Sequence, residues 1–259
     1  MQVSKMIPIN NKQNCSFKAI PRAKYLNAGK TVEVIQLEKQ DLPFINNFLS
    51  NINNYFKKHK INDSAHKEIM LDSFNATKEI LENSDKLKKS KVLLAVANKE
   101  PQGIIIANIL KKGNDNKLHY SSRHNHASTE TELDWIVTWN KYLPNKTKNI
   151  GKILTTEYFM TLKKDKFKSV FVRSELPEKS CASNFYNKMG FEDITTKREK
   201  LEKHNSNKYI IKTLDNPQDE IIPMVIWGKK INETIKSNVK ELERNSLSNI
   251  SQNIFEILK

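Results

Sequence analysis

Two apolar runs, Val92-Leu93-Leu94-Ala95-Val96-Ala97 and Gly103-Ile104-Ile105-Ile106-Ala107-Asn108-Ile109-Leu110, stand either side of Asn98-Lys99-Glu100-Pro101-Gln102. Each run is short, rich in branched aliphatic residues and bounded by turn formers, so the pair reads as a β-hairpin. Neither strand alternates apolar with polar residues, so the sheet holding them needs cover on both faces.

The flanking sequence supplies that cover. Thr31-Val32-Glu33-Val34-Ile35 reads as a strand. Asp41 then stands as an N-cap with Pro43 in the first turn. Phe44, Ile45, Phe48, Leu49, Ile52, Tyr55 and Phe56 follow at helical spacing. A second helix starts near Asp63 or Ser64 and carries Ile69, Met70, Phe74, Ile80 and Leu81, and residues 84–91 are a polar, lysine-rich break. After the hairpin, His119-Tyr120 extends a strand and residues 133–139 form another. A polar loop over 140–149 leads into a helix from Ile150. Residues 168–172 make a strand, and a helix from Ser180 to Met189 is closed by Gly190 at a C-cap. Tyr209-Ile210-Ile211 and residues 222–227 read as the last strands. The order is β-α-α-β-β-β-α-β-α-β-β, an α/β mixed sheet with helices on both faces.

This core spans residues 31–228. Residues 1–30 show no sustained period and read as a disordered or loosely docked arm. Residues 229–259 read as a helical extension, with one stripe at Ile231, Ile235, Val239 and Leu242 and another at Ile250, Ile254 and Leu258. Such stripes offer a surface for a homo-oligomer. No run approaches the ~18 apolar residues of a membrane-spanning helix, and the first 30 residues lack the apolar core of a secretory signal. Cys15 and Cys181 are too few for a disulfide framework or a four-cysteine zinc site. A reducing, cytoplasmic setting is expected.

The 259 residues carry 44 Lys+Arg against 29 Asp+Glu, a formal charge of +15. Only five of the basic residues are arginine: Arg22, Arg123, Arg173, Arg198 and Arg244. Base-reading proteins lean on the planar arginine fork, which this composition lacks. A solvated lysine surface, or an anionic ligand such as a polyphosphate, fits better, and a nucleic-acid partner is not favoured.

The chemistry concentrates between Glu132 and Phe191. A strand runs into a polar loop and a helix begins at its end, where unpaired amides and the helix dipole attract an anion. Lys146, Lys148 and Lys152 surround this junction, and Gly151 allows a phosphate to approach the backbone. Downstream lies Ala182-Ser183-Asn184-Phe185-Tyr186-Asn187-Lys188-Met189-Gly190-Phe191, of the form A-x-x-F-Y-x-K-x-G-F. This stretch resembles motif B of the GCN5-related N-acetyltransferases, the GNAT superfamily. Lys146-Thr147-Lys148-Asn149-Ile150-Gly151 resembles its motif A, Q/R-x-x-G-x-G/A, with Lys146 in place of Gln or Arg and Asn149 in place of Gly. Asn is the non-glycine residue best suited to a left-handed turn. The family's element order also matches the order above.

The resemblance implies a GNAT-like fold and transfer of an acetyl group from acetyl-CoA to a primary amine. The acceptor may be a protein amine, a polyamine or another small amine. Ile136 and Thr138 would pair with the pantetheine arm, and residues 146–152 (Lys146, Lys148, Asn149, Ile150, Gly151 and Lys152 among them) would hold the pyrophosphate. An amide near Val137 or Thr138 would meet the thioester oxygen. Tyr186 would protonate the departing thiolate, and Glu132 or Asp134, with Glu130 a weaker option, would take the amine proton. Glu132 and Asp134 lie two apart and so share a face. No metal is implied: His124 and His126 have no third ligand at a suitable spacing. The alternative is a GNAT-fold module that binds RNA or a protein partner without turnover.

Overall fold

The expected hairpin lies at the middle of the sheet. Strands β3 (Ser90–Ala97) and β4 (Glu100–Ile109) pair antiparallel, with Leu94 opposite Ile104. The turn is tighter than the sequence suggests. Asn98 and Lys99 both have positive φ, 52° and 63°, as a two-residue hairpin turn of matching twist requires. Glu100 and Pro101 already belong to the strand. The computed structural model describes residues 19–109, 111–112, 118–119, 131–143, 146–164, 169–175, 182–193 and 221–246.

The remaining elements, in chain order, are strands β1 (Ile20–Asn27) and β2 (Lys30–Gln36), then helices α1 (Leu42–Lys58), α2 (Ser64–Glu82) and the short α3 (Ser84–Lys89). After β4 come β5 (Lys111–Lys112), β6 (Leu118–His119), β7 (Thr131–Thr138), helix α4 (Ile150–Lys164) and β8 (Ser169–Glu175). The chain closes with α5 (Ala182–Lys188), β9 (Glu192–Asp193), β10 (Ile221–Trp227), α6 (Gly228–Glu241) and β11 (Arg244–Ser246). Among the described residues the main sheet has nine strands in the order β11-β1-β2-β3-β4-β7-β8-β10-β9. Its neighbours are antiparallel except β7 and β8, which run parallel. From β2 to β10 the expected order of strands and helices is present, with α3 and the β5–β6 ribbon inserted.

The sheet separates two cores. On one face Leu93, Ala95, Ile105 and Leu133 pack under α4, α5 and α6. On the other Leu94, Ile104, Ile106 and Val137 pack under α1 and α2. Helix α2 starts where expected, with the Asp63 carboxylate accepting from the His66 amide. Asp41 does different work from that expected: its carboxylate accepts from the Glu38 amide and closes a 3₁₀ turn ahead of α1. Asn83 converts the polar break into α3 by accepting from the amides of Asp85 and Lys86.

Three boundaries differ from the sequence reading. Residues 20–27, assigned to an arm, form β1, and Ala23 and Tyr25 are fully buried against α4. The extension after residue 229 is not helical throughout, since β11 returns to pair with β1. The stripe Ile231, Ile235 and Leu242 is buried inside this chain, so it offers no face to a second copy; Ile250, Ile254 and Leu258 lie outside the described residues. The penultimate strand is β9, directly after Gly190-Phe191, and residues 209–211 also lie outside. No described helix is long and apolar enough to cross a membrane.

Both chain ends are fastened to α4 by one buried carboxylate. Glu157 accepts from the Tyr25 hydroxyl at 3.0 Å, and from Arg244 Nε at 2.9 Å and Arg244 Nη2 at 3.2 Å. Arg22 Nε lies 3.7 Å away and Arg22 Nη2 donates to Thr161. Burial, then the Glu157 charge, pushes the Tyr25 phenol well above its ordinary value. Glu157→Gln leaves two guanidiniums against a neutral amide. It should cost about 3 kcal/mol of unfolding free energy in urea titration, the range for breaking a buried ion pair. A loss under ~0.5 kcal/mol would show the cluster to be idle.

Candidate active site

The site begins with one extra residue in β7. Ile106 pairs with Trp135 and Ala107 with Leu133, so Asp134 is a β-bulge. The parallel ladder between β7 and β8 covers only Thr131 to Leu133. Beyond the bulge the two strands part. The Trp139 amide donates to the Gln102 carbonyl, and strand alternation turns the backbone of Val137 toward β4 as well. The amides and carbonyls of Ile136 and Thr138 therefore face the gap. The expected pairing positions are kept, whereas the Val137 amide, expected to meet the thioester, is directed to β4 by its register opposite Ile104.

Helix α4 begins over this gap. Its first ladder bond is Ile153 amide to Asn149 carbonyl, 2.8 Å, so the amides of Ile150, Gly151 and Lys152 precede the ladder. Asn149 has φ 61°, the left-handed turn expected of an Asn in a glycine position. Three consecutive carbonyls before it are each held by a side-chain donor. Lys30 Nζ donates to Lys146 O at 2.8 Å, Asn140 Nδ2 to Thr147 O at 2.6 Å and Asn27 Nδ2 to Lys148 O at 2.5 Å. Asn149 Nδ2 in turn donates to Asn27 Oδ1. With its carbonyls drawn outward, this loop presents donors to an anion. Lys146 and Lys148 are exposed beside it. Lys152 is not part of that set, because its ammonium pairs with Glu241 on α6.

Two glycines fix the helix in place. A Cβ on Gly103 would stand 2.9 Å from Ile150 Cγ2 and 2.9 Å from Val137 O. Gly103 thus lets the first residue of α4 lie flat on β4, and sequence reasoning missed it inside an apolar run. A Cβ on Gly151 would meet Phe185 Cε2 at 3.3 Å and Ile136 Cδ1 at 3.8 Å. Gly151 is needed for the close approach of the Phe185 ring, a different reason from the phosphate approach expected.

The remaining candidates divide between the two faces. Tyr186 is buried on the α4 side, edge-on to Phe185 and Phe191 with ring centroids 5.4 Å away in both cases. The α5 turn that holds it ends as expected: Phe191 N–H donates to Tyr186 O, and Gly190 has φ 89°. Glu132 and Asp134 belong to the opposite side. Asp134 is exposed and accepts from Asn108, whose Oδ1 accepts from Ser90. Glu132 is 2% exposed. Cys181, His124, His126 and Glu130 lie outside the described residues, among which no metal-binding group of His, Cys, Asp and Glu occurs.

The α1–α2 connection closes the rim. Tyr142 donates to Asp63 at 2.9 Å and its ring lies 4.9 Å from that of His66. His59 is buried against Tyr55, with Nε2 3.5 Å from Glu100, and Tyr55 and Pro101 O both meet Trp139 Nε1. Burial first holds both imidazoles below their ordinary 6.5. Glu100 opposes this at His59 and Lys58 adds to it; Lys141 adds to it at His66 and Asp63 opposes it.

No protein-family model matches this chain, and no curated protein does. Solved structures do align with it. PaiA N-acetyltransferase from Thermoplasma acidophilum, in complex with coenzyme A, is 16% identical, covers 76% of this chain and 98% of its own, and has a TM-score of 0.44. FdhC, described as a nucleotide-linked sugar GNAT, is 14% identical over 85% of this chain and 98% of its own, TM-score 0.48. An uncharacterized protein from Bacillus halodurans is 10% identical over 87% of this chain and 100% of its own, TM-score 0.49. At these identities and scores the alignments bring no chemistry to this chain. Its own strand order and the parting of β7 from β8 stand independently of them.

Gly103→Ala should cost about 2 kcal/mol, as overpacking does, and shift the amide resonances of residues 150–152. Unchanged resonances would remove Gly103 as the seat of α4. The two histidines set a pH trend. An imidazole with a lowered pKa in the folded chain binds fewer protons than in the unfolded chain. Stability should be full above 6.5 and fall as pH drops through that value, and the melting temperature should fall less steeply in His59→Asn.

Proposed function

We propose that this protein transfers an acetyl group from acetyl-CoA directly to a primary amine. The observation that carries this is the bulge at Asp134, which parts β7 from β8 and turns the Ile136 and Thr138 backbone into the gap. An extended chain with amide groups can add to that exposed edge as a strand does. The α4 start stands at the end of the same gap, where its donor-rich loop suits a pyrophosphate. The residues present therefore fit coenzyme A.

Bound there, acetyl-CoA would supply the thioester. The Thr138 amide then donates to the carbonyl oxygen as negative charge builds. The acceptor enters from the α1/α2 side, where Asp134 is exposed, and Asp134 takes the proton released as the amine nitrogen bonds to the acetyl carbon. As the carbon–sulfur bond breaks, Tyr186 on the α4 side gives its proton to the sulfur. A phenol of ordinary pKa ~10 is suited to a thiolate leaving group. Placing acid and base on opposite sides of the gap keeps them from neutralising each other. Glu132, buried behind Asp134, reinforces the negative field that draws the amine.

Calorimetry with coenzyme A is the direct test, and no binding at millimolar ligand would end the reading. Tyr186→Phe should lower kcat by about 100-fold, typical of general acid loss, with KM for acetyl-CoA unchanged. Asn140→Ala frees the Thr147 carbonyl and should instead raise KM for acetyl-CoA about 10-fold with kcat held. The opposite pattern in either variant would reassign that residue.

A further inference from the structure

One end of this sheet is strongly basic and the other is neutral. The cleft end carries four connections: the β1–β2 turn, the β3–β4 turn, the α1–α2 connection and the loop before α4. They touch through Lys30 to Lys146 O, Lys58 to Glu100 and Tyr142 to Asp63. Residues 28–30, 57–68, 98–100, 141–143 and 146–149 hold nine lysines and three acids. Two of those acids are engaged, Glu100 with Lys58 and His59, and Asp63 with Tyr142 and the α2 start. At the opposite end, residues 38–41 and 79–91 hold five lysines and five acids. A lysine-rich composition by itself would load both ends alike.

The excess is larger than a pyrophosphate needs. Lys57, Lys58, Lys60, Lys67, Lys99 and Lys141 all belong to the acceptor side or its rim rather than to the loop before α4. Lysine rather than arginine makes this a surface of point charges, suited to phosphates read without regard to sequence. Tyr142 and His66, half-buried and stacked beside Lys141, add the aromatic face on which unpaired bases stack. An acidic peptide would use the charges but not the rings.

We propose that the acceptor amine reaches this protein attached to a single-stranded phosphodiester chain seated on the lysine rim between the α1–α2 connection and the β3–β4 turn. This rests on the acetyltransfer reading above and names its acceptor class.

The probe is a 5′-aminoalkyl oligothymidylate of about 12 nucleotides, followed by fluorescence anisotropy. With roughly four phosphates engaged, affinity should fall about 50-fold between roughly 50 and 200 mM salt. Replacing Lys57, Lys60 and Lys99 together with Gln should flatten the log–log salt slope by about 2. The same change at Lys39, Lys88 and Lys89 should leave it alone. With acetyl-CoA present, kcat/KM for the linked amine should exceed that of the free aminoalkyl compound at low salt. Equal effects of the two triple variants, tighter binding of a glutamate peptide of equal charge, or no preference for the linked amine each overturn the proposal. Coenzyme A affinity is measured in parallel. A chain that binds coenzyme A but not the oligonucleotide overturns this proposal alone. One that binds the oligonucleotide but not coenzyme A overturns the acetyltransfer reading, and with it the strand's assignment as acceptor.

Discussion

A single inserted residue in β7 controls what this sheet can do. Side chains alternate along a strand, so one extra residue exchanges the faces of everything after it. Leu133 belongs to the α4 core, yet Trp135, two positions on, packs under α1 and α2. The exchange places Ile136 beside Gly151 and Val137 beneath the first two helices. It also releases the strand from β8 after three paired residues. A regular β7 would continue its ladder and leave no edge for a ligand. The gap is thus a property of register, and the side chains around it are fitted to that register.

An open gap inside a sheet weakens the layer that contains it, and the flanking contacts compensate. Helix α4 bridges the parting strands. It is clamped at its first turn by Gly103 and Ile150, and further along by Glu157 with Tyr25 and Arg244. Two of the five arginines are used at this buried carboxylate, where a planar fork holds two oxygens in a way lysine cannot. The helix start is therefore held from both ends of the chain. An anion site made of backbone amides needs this stiffness, because its donors have no side-chain freedom with which to follow a ligand.

Much of this was legible in the sequence, and what was missed has physical causes. The central hairpin, α4, and α5 with its glycine cap depend on local period and turn chemistry, and those signals stand in the chain itself. Strand β1 does not announce itself. Its buried positions are Ala23, Tyr25 and Asn27, beside a proline, and its partners Glu157 and Lys148 are more than 100 residues away. Strand β9 has two residues, too few for any period. The bulge at Asp134 has no glycine to mark it, and so the two-residue spacing of Glu132 and Asp134 gave the right shared face without showing that one is buried and the other exposed. Lys152 was read as a phosphate cation because its partner Glu241 belongs to a helix 89 positions on.

The loop before α4 shows how a motif can depart from its usual letters and keep its geometry. The glycine expected at position 149 is there to permit a left-handed backbone, and Asn149 adopts that backbone at φ 61°. A glycine leaves such a loop free, whereas an asparagine brings a side chain that must be placed, and here it reaches Asn27 in the β1–β2 turn. That turn also holds the carbonyls of Lys146 and Lys148. The strand added before the core and the residue substituted within the motif are therefore two halves of one device. Asn27 explains why Asn149 is tolerated, and the orientation of the loop's donors follows from both.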